Sequence, residues 1–253
     1  MHRDAVARAL ADAGCIAPAE EADELIRAAA GDPGALRALV ARRADGEPLA
    51  WLTGTVEFCG LEVLVAPGVY VPRGQTEALA RRAAALLPAA GTALDLCTGC
   101  GAIAVVMGAT VPSARVLAAD LDGAAVACAR KNRVEALDGF LDDPLPSALE
   151  GRVDVLTAVV PYVPTGALRL LPRDVQAFEP RLALDGGEEG LDLLGEVAGR
   201  STRWLRPGGS LLLELGGEQA QPMGALLSGL GFSGVDVMRD EDGDPRGICA
   251  VLG

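Results

Sequence analysis

The chain has 253 residues, half of them apolar, and a formal charge of −13. That length holds one medium α/β domain with a small accessory element, and the apolar content supplies a sizeable core, which excludes wholesale disorder. The acidity disfavours nucleic acid as principal substrate: a duplex-binding surface carries a basic stripe, whereas here Lys131 is the only lysine and the pairs Arg42-Arg43 and Arg81-Arg82 lie scattered among acids. No apolar run approaches the ~18 residues of a membrane span. Met1-His2-Arg3-Asp4 lacks the layout of a secretory signal, so a soluble, cytoplasmic protein is expected.

Residues 1–46 read as three short helices, a small helical domain. The first ends at Gly14. The second opens at Pro18 with Glu20 and Glu21 in its first turn and stops at Gly31. Asp32 caps the third, Pro33 takes its first position, and Asp45-Gly46 closes it. Val6 and Leu10, Leu25 and Ile26, and Leu36, Leu39 and Val40 give each helix an apolar face, suited either to docking a partner or to capping one end of the core. Residues 47–72 change character: Phe58, Leu61, Val63 and Val65 around Cys59-Gly60 predict a linking β-hairpin. A helix from about Thr76 to Leu87 is stopped by Pro88, and residues 73–253 then alternate strand and helix.

The stretch from Thr92 to Asp122 is the most informative. An apolar strand (Thr92 to Leu96) enters a turn, Cys97-Thr98-Gly99-Cys100-Gly101. A helix from Ala102 to Met107 follows, and a second strand (Arg115 to Asp120) ends in an acid. Glycines let the backbone bend sharply and approach a ligand, and an acid about 20 residues beyond them can accept hydrogen bonds from ribose hydroxyls. Cys97 and Cys100 form a C-x-x-C, but the only histidine is His2, so neither a zinc site nor any other metal site is expected; they fill small-residue slots in the turn, and Cys15, Cys59, Cys128 and Cys249 read as small hydrophobes. Asp122 caps a helix to Lys131, a degraded strand lies within Arg133 to Leu137, and the next strand runs from Val153 to Val160. After a long loop come a helix from about Gly190 to Trp204, a strand from Ser210 to Leu215, a helix near Gln219 to Leu230, and strands Gly234 to Met238 and Gly247 to Leu252.

Gly99 to Ala104 also satisfies G-x-G-x-x-A, so a nicotinamide cofactor must be weighed. Three features favour S-adenosylmethionine instead. Asp95 is an acid inside the strand before the turn; Leu205-Arg206-Pro207-Gly208-Gly209 makes a tight turn before an apolar strand; and the chain closes in two adjacent strands around Asp240-Glu241-Asp242-Gly243-Asp244. The last two are habits of class I methyltransferases.

With these pieces in place, the chain resembles the protein-glutamine N-methyltransferases, which modify the Gly-Gly-Gln loop of peptide chain release factors. The likeness spans nearly the whole length: Gly46 to Ala50 with Leu52-Thr53-Gly54 and Glu57-Phe58; Val71-Pro72-Arg73 and Thr76-Glu77, which match most of P-R-P-E-T-E; Asp95 to Ala104; Asp120; Glu179-Pro180, Ala183-Leu184, Gly187 and Gly190-Leu191; and Arg246. The resemblance implies an α/β fold of the class I methyltransferase type: a Rossmann-like, seven-stranded mixed sheet with an antiparallel C-terminal hairpin, plus the small N-terminal helical domain. It also implies S-adenosylmethionine held by Asp95, Cys97, Thr98, Gly99, Cys100, Gly101 and Asp120. The family's adenine-side acid aligns either with Asp138 or with Phe140. The expected partner is a protein substrate such as a release factor, or else a small-molecule acceptor.

The family's most specific element is N-P-P-Y, where the Asn side chain and the first Pro carbonyl are implied to accept the two N–H groups of the substrate amide. This chain has Val159-Val160-Pro161-Tyr162. The backbone acceptor at Val160, Pro161 and the Tyr162 wall survive, but a valine side chain accepts nothing. One unpaired N–H costs about 1–3 kcal/mol, or about 5- to 150-fold in rate if felt only in the transition state. Three readings stay open: another acceptor such as Gln75 or Thr157 substitutes, the substrate differs, or the chain binds cofactor without catalysis. Gly74 and Gln75 in place of Pro and acid, and Cys97 in place of the turn's first glycine, are further departures.

Overall fold

The computed structural model describes residues 2–253; Met1, the first residue of the expected helical segment, lies outside it. Helices α1 (Arg3–Asp12), α2 (Pro18–Ala28) and α3 (Pro33–Ala44) carry the expected signals, with Pro18 and Pro33 opening α2 and α3 and the Asp32 carboxylate accepting the Gly34 N–H at 2.7 Å. Val6, Leu10, Leu25, Leu36 and Val40 meet in one buried cluster. α2 stops at Ala28 rather than Gly31, because Ala30 and Gly31 both take positive φ and turn the chain into α3. A five-residue helix, α4 (Leu49–Thr53), too short to show a period, joins this cluster to the rest: Leu52 packs among the helices, whereas Trp51 packs with the hairpin and donates its indole N–H to the Val69 carbonyl at 2.9 Å.

The hairpin pairs β1 (Thr55–Phe58) with β2 (Leu61–Leu64), and Cys59 and Gly60 both adopt positive φ, the backbone a two-residue type I′ turn demands. α5 (Glu77–Leu86) leads into seven strands: β3 (Thr92–Leu96), β4 (Arg115–Asp120), β5 (Glu135–Asp138), β6 (Val153–Ala158), β7 (Leu205–Glu214), β8 (Phe232–Arg239) and β9 (Pro245–Leu252). Their order is β5-β4-β3-β6-β7-β9-β8, with β9 antiparallel to both of its neighbours and the other pairs parallel. Connecting helices are α6 (Ala102–Thr110), α7 (Gly123–Lys131), α8 (Arg173–Phe178), α9 (Asp192–Trp204) and α10 (Ala220–Gly229). Alternate strand residues enter different cores: Leu94, Leu156, Leu211 and Leu213 pack with α9 and α10, while Ala93, Val155 and Leu212 pack with α5 and α6. This is the mixed sheet of a class I methyltransferase.

Element bounds differ from expectation where pairing overrides pattern. β6 ends at Ala158, not Val160: its ladder with β7 stops at the Ala158–Leu213 pair, and Val160 precedes a proline. β7 begins at Leu205, not Ser210, because Leu205 already pairs with Val153 and Arg206 to Gly209 bulge out before Ser210 joins Val155. α6 runs on to Thr110, and both C-terminal strands are longer than predicted.

One polar group is built into the α9 side of the core. Asp142, 5% exposed, accepts the Trp204 indole N–H at 2.8 Å and an Arg200 N–H at 2.7 Å. Trp204→Phe keeps the ring but strands one carboxylate oxygen, so urea denaturation should show a loss of about 1–3 kcal/mol.

Candidate active site

In an open parallel sheet, ligands bind beyond the carboxyl ends of the strands where strand order reverses. Here the reversal lies between β3, which is followed by β4 and β5 on one side, and β6 on the other. A cleft opens at that point, lined by Asp95, the Cys97–Cys100 turn, Asp120, Leu121 and Asp122 from the β3–β4 half, and by Val159, Val160, Pro161 and Tyr162 beyond β6. Tyr70, Pro72 and Thr76 close it from the segment before α5, and Phe140, Leu141, Pro180, Leu182, Ala183 and Leu184 from the loops. Of the residues expected at the site, Gly101 and Asp138 are not in the lining. Asp138 is exposed at the end of β5, and the chain turns so that Phe140 takes the place on the cleft wall.

The turn works through its backbone. Cys97, Gly99 and Gly101 all have positive φ; Cys97 thus holds at φ 54 a conformation that glycine adopts without penalty. A Cβ on Gly101 would lie 3.0 Å from Val134 and 3.2 Å from Ala129 of α7, and its φ of 87 is one that glycine favours, so glycine suits the close approach of α6 to α7 here. The Cys97 and Cys100 thiols are both pushed up by burial, Cys100 to about 12, away from redox or nucleophilic use. Asn132 secures the turn from outside: its amide N–H groups bind the carbonyls of Cys100 (2.8 Å) and Leu64 (2.9 Å), while its oxygen takes the Leu64 N–H at 2.9 Å.

Asp120 accepts the Gly99 N–H at 2.8 Å and the Asp122 N–H at 2.9 Å, one on each oxygen. Each oxygen keeps a further lone pair, the geometry a vicinal diol needs. Burial raises its carboxyl above the ordinary value, and the two backbone N–H groups pull it back. Asp95, 1% exposed, accepts the hydroxyls of Thr98 at 2.5 Å and Thr157 at 2.7 Å. It braces the turn against β6. Thr157 is spent in that bond and does not line the cleft, so it cannot stand in for the acceptor absent at position 159.

Beyond β6 the backbone is held from several sides. Val159 is half-buried against the α5–α6 core, and Val160 is buried against the other. Among the described residues no backbone donor engages the Val160 carbonyl. The Tyr162 hydroxyl donates to Glu214 Oε1 at 2.8 Å, and Gln75 Nε2 donates to both the phenol oxygen (3.0 Å) and Glu214 Oε1 (3.1 Å). Burial first, and the Glu214 charge second, push the Tyr162 phenol far above its ordinary range, so it stays a neutral donor. Gln219 gathers the loop, its amide nitrogen reaching the carbonyls of Tyr162 (2.8 Å), Glu189 (3.0 Å) and Gly190 (3.1 Å). A Cβ at Gly190 would overlap the Tyr162 carbonyl oxygen, so the two loops approach this closely only at glycine. Arg73, 4.9 Å over the Tyr70 ring, pairs with the buried Glu179 and ties the segment before α5 to the loop after β6.

Glu214, Gln219, Asn132 and the Arg73–Glu179 pair escaped the sequence reading of the site. Glu214 carried a usable signal, an acid inside the apolar run Leu211 to Leu215, the same cue that singled out Asp95. The others carry none locally. Among the described residues no three His, Cys, Asp or Glu side chains converge as metal ligands, and no helix is long and apolar enough to cross a membrane.

The family model for the methyltransferase small domain matches residues 61–140. A release factor glutamine methyltransferase of Geobacter sulfurreducens is 39% identical over 225 residues, covering 87% of this chain and 77% of its own. One from Moorella thermoacetica is 40% identical over 220 residues, 83% of this chain and 76% of its own. This chain belongs to the release factor glutamine methyltransferase family. It is accordingly an S-adenosylmethionine-dependent methyltransferase. A methyltransferase structure from Pyrococcus furiosus shares the fold, with a TM-score of 0.56 at 20% identity over 77% of this chain and 90% of that one. The cleft suits that cofactor: an acid with two free lone pairs for the ribose, a backbone turn bent by positive φ, and a largely apolar wall.

The Asp95 carboxyl is held by burial at about 6 against the two threonine hydroxyls that pull it down. Between the ordinary value near 3.9 and about 6, the folded protein keeps a proton that the unfolded chain has released. Stability from this group therefore falls as pH rises across that window, by roughly 3 kcal/mol, and is level above it. Asp95→Asn removes the titration. Urea unfolding at pH 4 and pH 7 should show the stability gap between the variant and the wild type moving in the variant's favour by about that amount.

Proposed function

We propose that this protein methylates the side-chain amide nitrogen of a glutamine in a protein, a peptide chain release factor. The observation that carries the reading is that Val160, Pro161 and Tyr162 line one continuous cleft with Asp120 and the Cys97–Cys100 turn. The resident cofactor, when bound, supplies a methyl group on a positively charged sulfur. Asp120 would hold its ribose hydroxyls, and the backbone of the turn would pack against its methionine end.

An amide nitrogen is a poor nucleophile because its lone pair is delocalised into the carbonyl, so orientation and charge stabilisation must supply most of the rate. The Val160 carbonyl takes one N–H, which aims the nitrogen along the cleft. Tyr162, locked by Glu214 and Gln75, walls the amide in, and Pro161 stiffens the backbone that presents the carbonyl. As the new C–N bond forms, positive charge grows on nitrogen, and the buried carboxylate of Glu214 lies one phenol away. The nitrogen, having taken the methyl as the carbon–sulfur bond breaks, then gives up one proton to solvent water and regains amide character. Residues 1–46 form the helical domain proposed to receive the protein substrate, with 47–72 linking it to the methyltransferase domain, 73–253.

Incubating the protein with S-adenosylmethionine and a release factor should add the mass of one methyl group to the glutamine of the Gly-Gly-Gln loop. Methylation of a small amide, amine or guanidine with the release factor untouched would overturn the reading. Asp120→Asn should weaken adenosylhomocysteine binding about 10- to 150-fold by calorimetry, the loss of a hydrogen bond to a charged acceptor. Val159→Asn, which adds a side-chain acceptor beside the Val160 carbonyl, should keep glutamine methylation at or above the wild-type rate, and a large loss of rate with adenosylhomocysteine binding intact would count against an amide acceptor there.

A further inference from the structure

Three buried side-chain oxygens have no hydrogen-bond partner among the described residues: Thr76 Oγ1, Glu179 Oε2 and Glu214 Oε2. They gather about one short segment, since Glu179 accepts from Arg73, Glu214 accepts from Gln75, and Thr76 follows directly. Native folds leave few such atoms unmatched, because each forfeits its hydration without recompense. Both carboxylates have at least one partner on their other oxygen. The Thr76 hydroxyl has none, although the residue is only 4% exposed.

Thr76 is also the one of the three that lines the cleft, together with Val159, Val160, Pro161 and Tyr162. The neighbouring polar side chains are committed elsewhere: Thr157 to Asp95, and the Gln75 amide nitrogen to Tyr162 and Glu214. Gln75 does not line the cleft. A carboxamide has two N–H groups to place. The Val160 carbonyl can take one, and the Val159 side chain can take none. A hydroxyl oxygen has two lone pairs and can accept the second.

We propose that the Thr76 hydroxyl is the side-chain acceptor for the substrate carboxamide, in the place that Val159 leaves without one; this rests on the glutamine-amide reading above. The segment before α5 thereby becomes part of the acceptor slot and sets its preference for a nitrogen carrying two N–H groups.

Thr76→Val tests it, because valine keeps the shape and removes only the acceptor. The variant should show a higher urea midpoint, since an unmatched buried hydroxyl has gone, and unchanged adenosylhomocysteine binding by calorimetry. Its kcat on a release factor carrying the Gly-Gly-Gln loop should fall about 5- to 150-fold. Thr76→Ser, which retains the hydroxyl, should recover most of that rate. Adding Val159→Asn to Thr76→Val should also recover it, so that the two sites are strongly coupled in a double-mutant cycle. A Thr76→Val enzyme as fast as the wild type overturns the inference. So do Val and Ser variants that are equally slow, which would make the threonine methyl the important group, or effects at 76 and 159 that simply add. An unmutated protein that binds adenosylhomocysteine yet leaves the release factor unmethylated fails the glutamine reading itself, and this inference with it.

Discussion

The cleft depends on a carboxylate buried between the two central strands. Asp95 points one oxygen at the turn after β3 and the other at β6, and so joins the two halves of the sheet where their order reverses. Placing an acid there is costly, as the rise of its carboxyl to about 6 records, and an apolar residue would pack at least as well. What the acid gives is position. Thr98 fixes a turn in which Cys97, Gly99 and Gly101 all sit at positive φ, and Thr157 fixes the strand whose end carries Val159 and Val160. A ligand spanning the two halves thus meets both at a set separation. Such pre-organisation matters most for a reaction whose nucleophile is feeble.

The acceptor half is tied down by a second buried acid, Glu214, at the far end of β7. The two acids are used in parallel ways: each lies at the carboxyl end of a central strand and accepts two side-chain donors, at least one of them from a segment distant in sequence. Gln219 and the Arg73–Glu179 pair add ties to the loop between β6 and α9, so that the wall of the slot is assembled from four segments. A loop of that length would otherwise be the least ordered part of the fold. Polar contacts with the scaffold, added to its own short helical turns, hold it in place.

The repeating elements were legible because they are periodic, and the cofactor turn because glycine, a strand-internal acid and a spaced second acid each have a local physical reason. Elements of five or six residues, α4 and α8, hold too few turns to reveal a period. Strand ends were misplaced where a cross-strand partner decides them: nothing within Leu205 to Gly209 shows that Val153 will pair with Leu205. Asp138 could not be separated from Phe140 for a related reason, since only the direction of the chain after β5 determines which of them faces the cleft. Arg73 and Glu179, each noticed singly as part of a motif, meet across a separation of 106 residues that no local pattern encodes.

The departures from the family motifs also have physical sense together. Cys97 replaces a glycine but keeps glycine's backbone conformation, so the turn's path is retained at a steric cost of about 1–2 kcal/mol. Gln75 replaces an acid at a point where its side chain lies 3.1 Å from Glu214. A carboxylate there would set like charges against each other, whereas the amide donates to Glu214 and to the phenol it holds. The tyrosine wall is therefore fixed by hydrogen bonds that bring no two like charges together. Val159 differs from these two in kind, for it removes an acceptor and returns nothing at its own position. Its neighbourhood keeps the backbone acceptor, the locked phenol and an unmatched hydroxyl, and these are the parts a slot needs to recognise an amide through other atoms.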